Sequence, residues 1–242
     1  MREMLAGGRR RIVLLAAAVA LSLGWVTGSP MVALATTVTG LEDTASQWGI
    51  FWDNGTGTGS ITNVSSPSRD SDQSMKISLT SGSSYVGLHA YRNLAADDAA
   101  TTFQIDDYYY FTTTTPIQAL EFTMNKWVNN TRYEWAMQWE NKGTGVPPPV
   151  WRIWTGSSWQ STGHTQSLAV NTWHHIQIKG TVSGGQVHYV SFTSDSLSAS
   201  LGQSYPPVSS TGDKLAIAFQ LDSDSNGDAY TLYADTITFS HS

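Results

Sequence analysis

Between Gln118 and Glu140 the chain reads QALEFTMNKWVNNTRYEWAMQWE, two alternating segments on either side of Asn129-Asn130. If those asparagines form a two-residue turn, Glu121 lies opposite Gln138, Thr123 opposite Ala136, Asn125 opposite Glu134 and Trp127 opposite Arg132. One face of this β-hairpin is then almost wholly polar. Leu120, Phe122 and Met124 meet Trp139, Met137 and Trp135 and make the other face a continuous apolar surface. A one-residue slip would mix the two sets on both faces, so the pattern itself selects the register. An antiparallel sheet with one core face and one open, polar, partly aromatic face is the expectation.

The rest of the chain repeats the theme. Helical patterning is nearly missing after residue 36, and short alternating segments separated by Gly, Ser, Asn and Pro recur to the end. Strands are predicted near 74–80, 85–93, 102–112, 118–127, 132–140, 150–155, 173–181, 187–194, 214–221 and 229–239. About ten strands with hairpin connections fit an all-β, two-sheet antiparallel sandwich of the jelly-roll type. NKGTGVPPP at 141–149 is predicted to be a loop, because three successive prolines offer a ladder no donors. The Ser-rich stretch 194–210 is predicted to be another.

Four arginines, an apolar run from Ile12 to Val26 and then Ala33-Leu34-Ala35 give the N-terminus the pattern of a secretory signal peptide, cut after Ala35. The apolar run is shorter than the roughly 20 residues that span a bilayer. Residues 36–242 are then expected to form one jelly-roll domain, exported, soluble and extracellular. Cysteine is absent, so core packing must replace disulfides, with a bound metal as a candidate second source of stability. Removing the leader's four arginines and one glutamate leaves nine basic and eighteen acidic side chains, a net charge of −9. That balance argues against nucleic acid and anionic membranes as partners, both of which need clustered Lys and Arg. A Ser/Thr/Gly- and Trp-rich acidic surface suits neutral glycans better.

Parity sorts the aromatic and charged residues. Trp135 and Trp139 belong to the apolar hairpin face, and Trp173 opens a strand expected in the core. In VWRIWTG, Arg152 and Trp154 point outward while Trp151 and Ile153 point inward. Trp127 and Trp154 are therefore candidates for a platform on which a pyranose ring stacks. Glu121, Asn125, Glu134, Gln138 and Arg152 would supply hydrogen bonds. Glycoside hydrolysis needs two carboxyl groups about 5–5.5 Å apart for retention or about 6.5–9.5 Å for inversion. Glu121 and Glu134 sit about 13 Å apart along the ladder, too far. Glu121 and Glu140 are diagonal neighbours about 7–8 Å apart and form the one plausible pair in the hairpin. His89 and Arg92 are the groups a glycan lyase would use. Adjacent His174 and His175 face opposite ways and cannot grip one zinc. LDSDSNGDAY offers Asp222, Asp224, Asn226 and Asp228 around Gly227, the first half of a calcium loop, although Tyr233 stands where a bidentate Glu is expected.

Several segments together resemble the concanavalin A-like lectin/glucanase superfamily. NTWHHIQIKG at 171–180 is similar to the Trp-His-His strand of laminin-G-like modules, and LYADTITF at 232–239 to the closing strand of carbohydrate-binding jelly rolls. GLEDTASQW and DSDQSMKISL are similar to the opening segments of such modules. ALEFTMN, WRIWTGSSWQSTG and NTWHHI follow one another in the order of secreted bacterial domains of this class. The resemblance implies a jelly roll and permits sugar binding. It also implies that Glu42 and Asp235 match positions that hold a structural calcium. Glucanases of this fold carry Glu-x-Asp-x-x-Glu, whereas the strand here has Glu121, then Thr123 and Asn125, which argues against hydrolysis. The leading expectation is a non-catalytic module that binds a polysaccharide or oligosaccharide on its open sheet. A glycoside hydrolase or polysaccharide lyase of the same fold is the alternative, and a structural or adhesive extracellular module a third. No organic cofactor motif is present.

Overall fold

A computed structural model describes residues 35–142 and 148–242. The leader read from the sequence lies, but for Ala35, outside the described residues, as does the middle of the Pro-rich loop. Among the described residues seventeen strands run in chain order: β1 Thr36–Val38, β2 Gly49–Asp53, β3 Gly57–Val64, β4 Ser74–Gly82, β5 Gly87–Leu94, β6 Thr102–Phe111, β7 Ile117–Val128, β8 Thr131–Glu140 and β9 Val150–Trp154. After them come β10 Trp159–Thr165, β11 His174–Ser183, β12 Gln186–Ser194, β13 Leu197–Ser200, β14 Ser204–Tyr205, β15 Val208–Ser209, β16 Lys214–Ser223 and β17 Tyr230–His241. A short 3-10 segment, Glu42–Gln47, precedes β2. Among the described residues no helix is long and apolar enough to cross a membrane.

Two antiparallel sheets form the sandwich. One runs β13-β12-β11-β6-β17-β4-β3, with β1 on β17 and β14 on β12. The other runs β10-β9-β8-β7-β16-β5-β2, with β15 on β8. The β7–β8 register is the one the alternation selects, with Glu121 on Gln138, Asn125 on Glu134 and Trp127 on Arg132. Asn129 and Asn130 both take positive φ, 50° and 57°. That is the backbone a two-residue hairpin needs to match the strands' twist, and Asn tolerates it better than most residues.

Inward-facing side chains of the two sheets fill a single core. Phe122, Trp135, Trp139, Trp151 and Phe219 from one sheet meet Phe103, Tyr109, Phe111, Phe192 and Phe239 from the other, all 0–1% exposed. At roughly 25 cal/mol per Å2 of apolar surface, such large aromatics supply the stability that disulfides supply elsewhere. Gly180 is required for this packing, because a Cβ there would lie 2.3 Å from the Trp135 ring. His174 is buried and His175 faces out, as alternation demands. His174 Nδ1 bonds Asp195 (2.7 Å) and Nε2 the Ala169 carbonyl (2.8 Å).

Three expectations need correction. Trp173 is half-buried against Tyr110 on the outer surface rather than in the core. The stretch 194–210 is not all loop, because β13, β14 and β15 add short edge pairings there. Strands β1, β2 and β3 were not legible as strands, being short or rich in Gly and Thr.

Candidate functional site

The outward face of the β10-to-β2 sheet holds a cleft of about 740 Å3. Strand pairing builds its floor in rows. Gln138 on β8, Glu121 on β7, Gln220 on β16, His89 on β5 and Phe51 on β2 are successive partners across the sheet. The row to one side runs Ala119, Asp222, Gly87, Asp53. On the other side come Ala136, Thr123, Ala218 and Tyr91, then Glu134, Asn125, Ala216 and Asn93. Arg132, Trp127 and Lys214 close that end.

This face is open to a ligand yet far from freely solvated. Glu121, Asn125 and Gln138 are only 6–7% exposed, because neighbouring side chains wall the floor. Trp154 and Trp159 stack at a tilt, centroids 5.3 Å apart, at the β9–β10 edge. Trp127 lies nearby, with Lys214 Nζ 4.8 Å and the Arg132 guanidinium 5.9 Å from its ring. The opposite edge carries a second aromatic platform, with half-exposed Phe51 stacked on His89 at 4.0 Å and Tyr91 beside it. Five strand spacings separate Trp154 on β9 from Phe51 on β2, about 24 Å at roughly 4.8 Å each.

Buried polar groups in the floor are only partly satisfied. Gln138 Nε2 donates to Glu121 Oε1 (2.8 Å), and Gln220 Nε2 to Asp222 Oδ1 (2.7 Å). Gln138 Oε1, Asn125 Oδ1 and His89 Nε2 have no hydrogen-bond partner among the described residues. Because an unmatched buried acceptor costs about 1–3 kcal/mol, these atoms are poised for a ligand's donors. Burial, and then the charge of Asp222, pushes the Glu121 carboxyl well above its ordinary range. Burial likewise raises Asp222 to about 6, against hydrogen bonds from Gln220 and Glu121. The hydrogen bond between the two carboxyls raises Glu121 and lowers Asp222. Burial also holds His89 neutral, down to about 4, despite Asp53 3.7 Å away. Glu134 is raised by burial against the pull of Arg132, whose Nη2 lies 2.9 Å away.

Of the ligand-binding residues read from the sequence, Glu121, Asn125, Trp127, Glu134, Gln138 and Trp154 all line the cleft. Arg152 does not. It forms an ion pair with Glu140, which removes Glu140 as the partner of Glu121. The acid beside Glu121 is Asp222, which the sequence placed in a calcium loop. Strand β16 continues to Ser223, so Asp222 belongs to the strand and faces the cleft. Asp224 is held by Lys142 Nζ (2.8 Å) and caps the Asn226 N–H (3.0 Å). Asn226 Nδ2 bonds Asp228 (3.3 Å). Asp222, Asp224, Asn226 and Asp228 therefore do not converge on one ion. Arg92 is likewise turned away from His89, donating to Leu41 O, Thr44 Oγ1 and Gln47 Oε1. Sequence reading missed Phe51, Asp53, Tyr91, Gln220, Trp159 and Lys214. The alternation of FQLDS was the available signal for Gln220 and Asp222, and GIFWD that for Phe51 and Asp53.

Glu42 and Asp235 do come together, and Asp70 joins them, with one ligand oxygen from each within 4.8 Å of the others. Glu42 (2% exposed) accepts the N–H groups of Thr236 (3.0 Å) and Ile237 (2.8 Å), and Asp235 (0%) that of Arg69 (2.7 Å). Thr236 adopts φ 56° here, a conformation that costs a β-branched residue energy. Burial raises Glu42 to about 7. Three carboxylates, all hard oxygen donors and two of them buried, are a donor set that suits calcium, bound at about 2.3–2.6 Å. Elsewhere among the described residues no three acidic or histidine ligands lie so close.

The sequence matches no protein-family profile and no curated protein. Solved structures show the fold. Peanut lectin, solved with a 9mer peptide, aligns with a TM-score of 0.55 at 7% identity, over 86% of this chain and 97% of the lectin. The cellulose induced protein Cip1 aligns with a TM-score of 0.50 at 10% identity, over 80% of this chain and 91% of that one. A carbohydrate-binding module of the β-sandwich superfamily aligns with a TM-score of 0.45 at 12% identity, and the chain spans 58% of its length. The fold shared with peanut lectin and Cip1 is the two-sheet jelly roll that the sequence resemblance implied.

Proposed function

We propose that this protein is a secreted, non-catalytic carbohydrate-binding module that holds a polysaccharide in the cleft of its β10-to-β2 sheet. The observation that carries the reading is the pairing of two aromatic platforms with a floor of unpartnered amide oxygens, Asn125 Oδ1 and Gln138 Oε1. A sugar ring offers both halves of the complement, an apolar C–H face for the rings and hydroxyl donors for the acceptors. The length of the cleft across the strands suits an internal stretch of a glycan rather than one terminal sugar. Export follows from the leader pattern at residues 1–35, and calcium at Glu42, Asp70 and Asp235 would tie the first turn to the last strand.

One observation favours a second reading, cleavage of the bound glycan. Burial pushes the Glu121 carboxyl well above its ordinary range inside the cleft, the direction a general acid needs, with Asp222 rather than Glu140 as its neighbour. Glycan-array and polysaccharide pull-down measurements, run beside reducing-sugar and unsaturated-product assays, separate the two. Retention without product supports the binding module. Product formation that Glu121→Gln abolishes makes it an enzyme, and no retention of any glycan refutes both.

A further inference from the structure

The cleft is electrically lopsided, and its two ends ask for different chemistry. Lys214 and Arg132 sit at the Trp127 end. Along β16 Lys214 and Asp222 are eight residues apart, about 26 Å at roughly 3.3 Å per residue. That is several times the ionic screening length of about 8 Å, so a charged group at either end responds to its own neighbours. Around Asp222 the charged neighbours are acids. Glu121 and Asp53 are the adjacent carboxyls, and Gln138 and Gln220 each donate one amide N–H, to Glu121 and Asp222. Gln138, itself 6% exposed, leaves its Oε1 without a partner among the described residues.

Space for a small group exists at that point. Gly87 lies between Asp222 and Asp53 in the sheet register. A Cβ at Gly87 would stand 2.8 Å from Asp222 Oδ1, 3.0 Å from Gln220 Nε2 and 3.6 Å from the Asp53 Cβ. The bare glycine therefore leaves a notch lined by the Asp222 carboxylate and the Gln220 amide, with Asp53 at its edge. A sugar hydroxyl can donate there, but it brings no charge to offset the two acids. A uronate or sulfate would be repelled. A protonated amine is donor-only and positive, and it matches both the acceptor atoms and the sign of the field.

We propose that the acid end of the cleft is a subsite for an ammonium group, and that the glycan bound here contains amino sugars with free amines. The ammonium sits over Gly87 between Asp222 and Asp53, within reach of the Glu121–Asp222 pair, while neighbouring rings stack on Phe51 and across the floor. The assignment rests on the glycan-binding reading and narrows it to a substrate class.

Calorimetric titration tests it, with the purified protein at pH 6 in chelator and low salt. The probes are α- and β-linked glucosamine oligomers, their fully N-acetylated counterparts, and glucose and uronic-acid oligomers of matching linkage. A free-amine oligomer should bind about tenfold or more tightly than its acetylated counterpart, a difference of about 1.4 kcal/mol. Asp222→Asn, and independently Asp53→Asn at an exposed position, should remove most of that preference, and added salt should shrink it. Trp154→Ala should weaken every bound oligomer without changing the ratio. Equal or tighter binding of the acetylated, neutral or uronic-acid forms overturns the ammonium subsite and leaves the glycan-binding reading standing. A preference that survives both Asn substitutions overturns it as well. Failure to bind any oligomer, with no polysaccharide retained in pull-down, removes both.

Discussion

Glu42 should make this protein lose stability as pH rises from about 4.5 towards neutrality, and calcium should cancel the loss. Its carboxylate is buried at the junction of the first turn and the last strand, where both oxygens accept backbone N–H groups. Burial nevertheless wins and lifts it from 4.5 to about 7. Since the folded chain holds this proton more tightly than the unfolded chain, folding is favoured below about pH 4.5 and the advantage drains away up to about pH 7. At about 1.4 kcal/mol per pH unit, the interval is worth about 3 kcal/mol. For a domain of this size that is roughly 6 to 12 °C in melting temperature. Asp222 titrates in an overlapping range, so the quantity to read is wild type minus Glu42→Gln, measured by urea and thermal unfolding from pH 4 to 8. A cation held by Glu42, Asp70 and Asp235 would keep the carboxylate ionised and flatten the slope. At one hundred times its dissociation constant it would add about 2.7 kcal/mol. Asp70→Asn, at the exposed corner of the triad, should abolish the calcium response and keep the pH slope. A wild-type profile parallel to that of Glu42→Gln would refute the electrostatic reasoning. A melting curve indifferent to calcium at pH 8 would refute the metal assignment.

Binding and packing separate at the tryptophans. Trp154→Ala should weaken glycan retention by about 1–3 kcal/mol with little loss of stability, whereas Trp135→Ala should cost about 3–5 kcal/mol of stability, read by affinity electrophoresis and chemical unfolding. Trp127→Ala should do some of each, because its Nε1 donates to Ser210 (3.1 Å) and Gly212 packs on its ring. Equal stability losses at Trp154 and Trp135 would turn the cleft wall into a second core. Burial pulls the His174 imidazole down, but Asp195 and the Ala169 carbonyl outweigh it and raise its pKa. The stabilisation from that pair should therefore be complete below about pH 6.5 and vanish as pH climbs through the raised value, a dependence that Asp195→Asn should flatten in thermal melts. For the acid pair, Asp222→Asn should remove the part of the pH slope between about 4 and 6, since Asp222 is raised to about 6 in the fold. An unchanged slope would mean that Asp222 is ionised like a surface carboxylate.

Period-two alternation from Gln118 to Glu140, with Asn129-Asn130 at its centre, was enough to determine the register of β7 on β8, which side of each strand is core, and the class of the fold. Those are local properties, because each side chain's face is set by its place in its own strand and a slip would bury charge. Placing Glu121, Asn125, Glu134 and Gln138 on one surface needed nothing more, and the alternation of VWRIWTG turned Trp154 outward. What stands beside that surface was decided by the tertiary structure. Only the insertion of β16 between β7 and β5 puts Asp222 against Glu121 and His89 in the same row. Only the addition of β2 at the sheet edge brings Phe51 and Asp53 to the cleft. Glu140 and Arg152 looked like site residues until β9 paired with β8 and joined them to each other. Asp70 could be recognised as a companion of Glu42 and Asp235 only once the loop before β4 lay against the last strand. Strand order is fixed by which distant apolar faces close one core, and alternation within a strand carries no record of its neighbour.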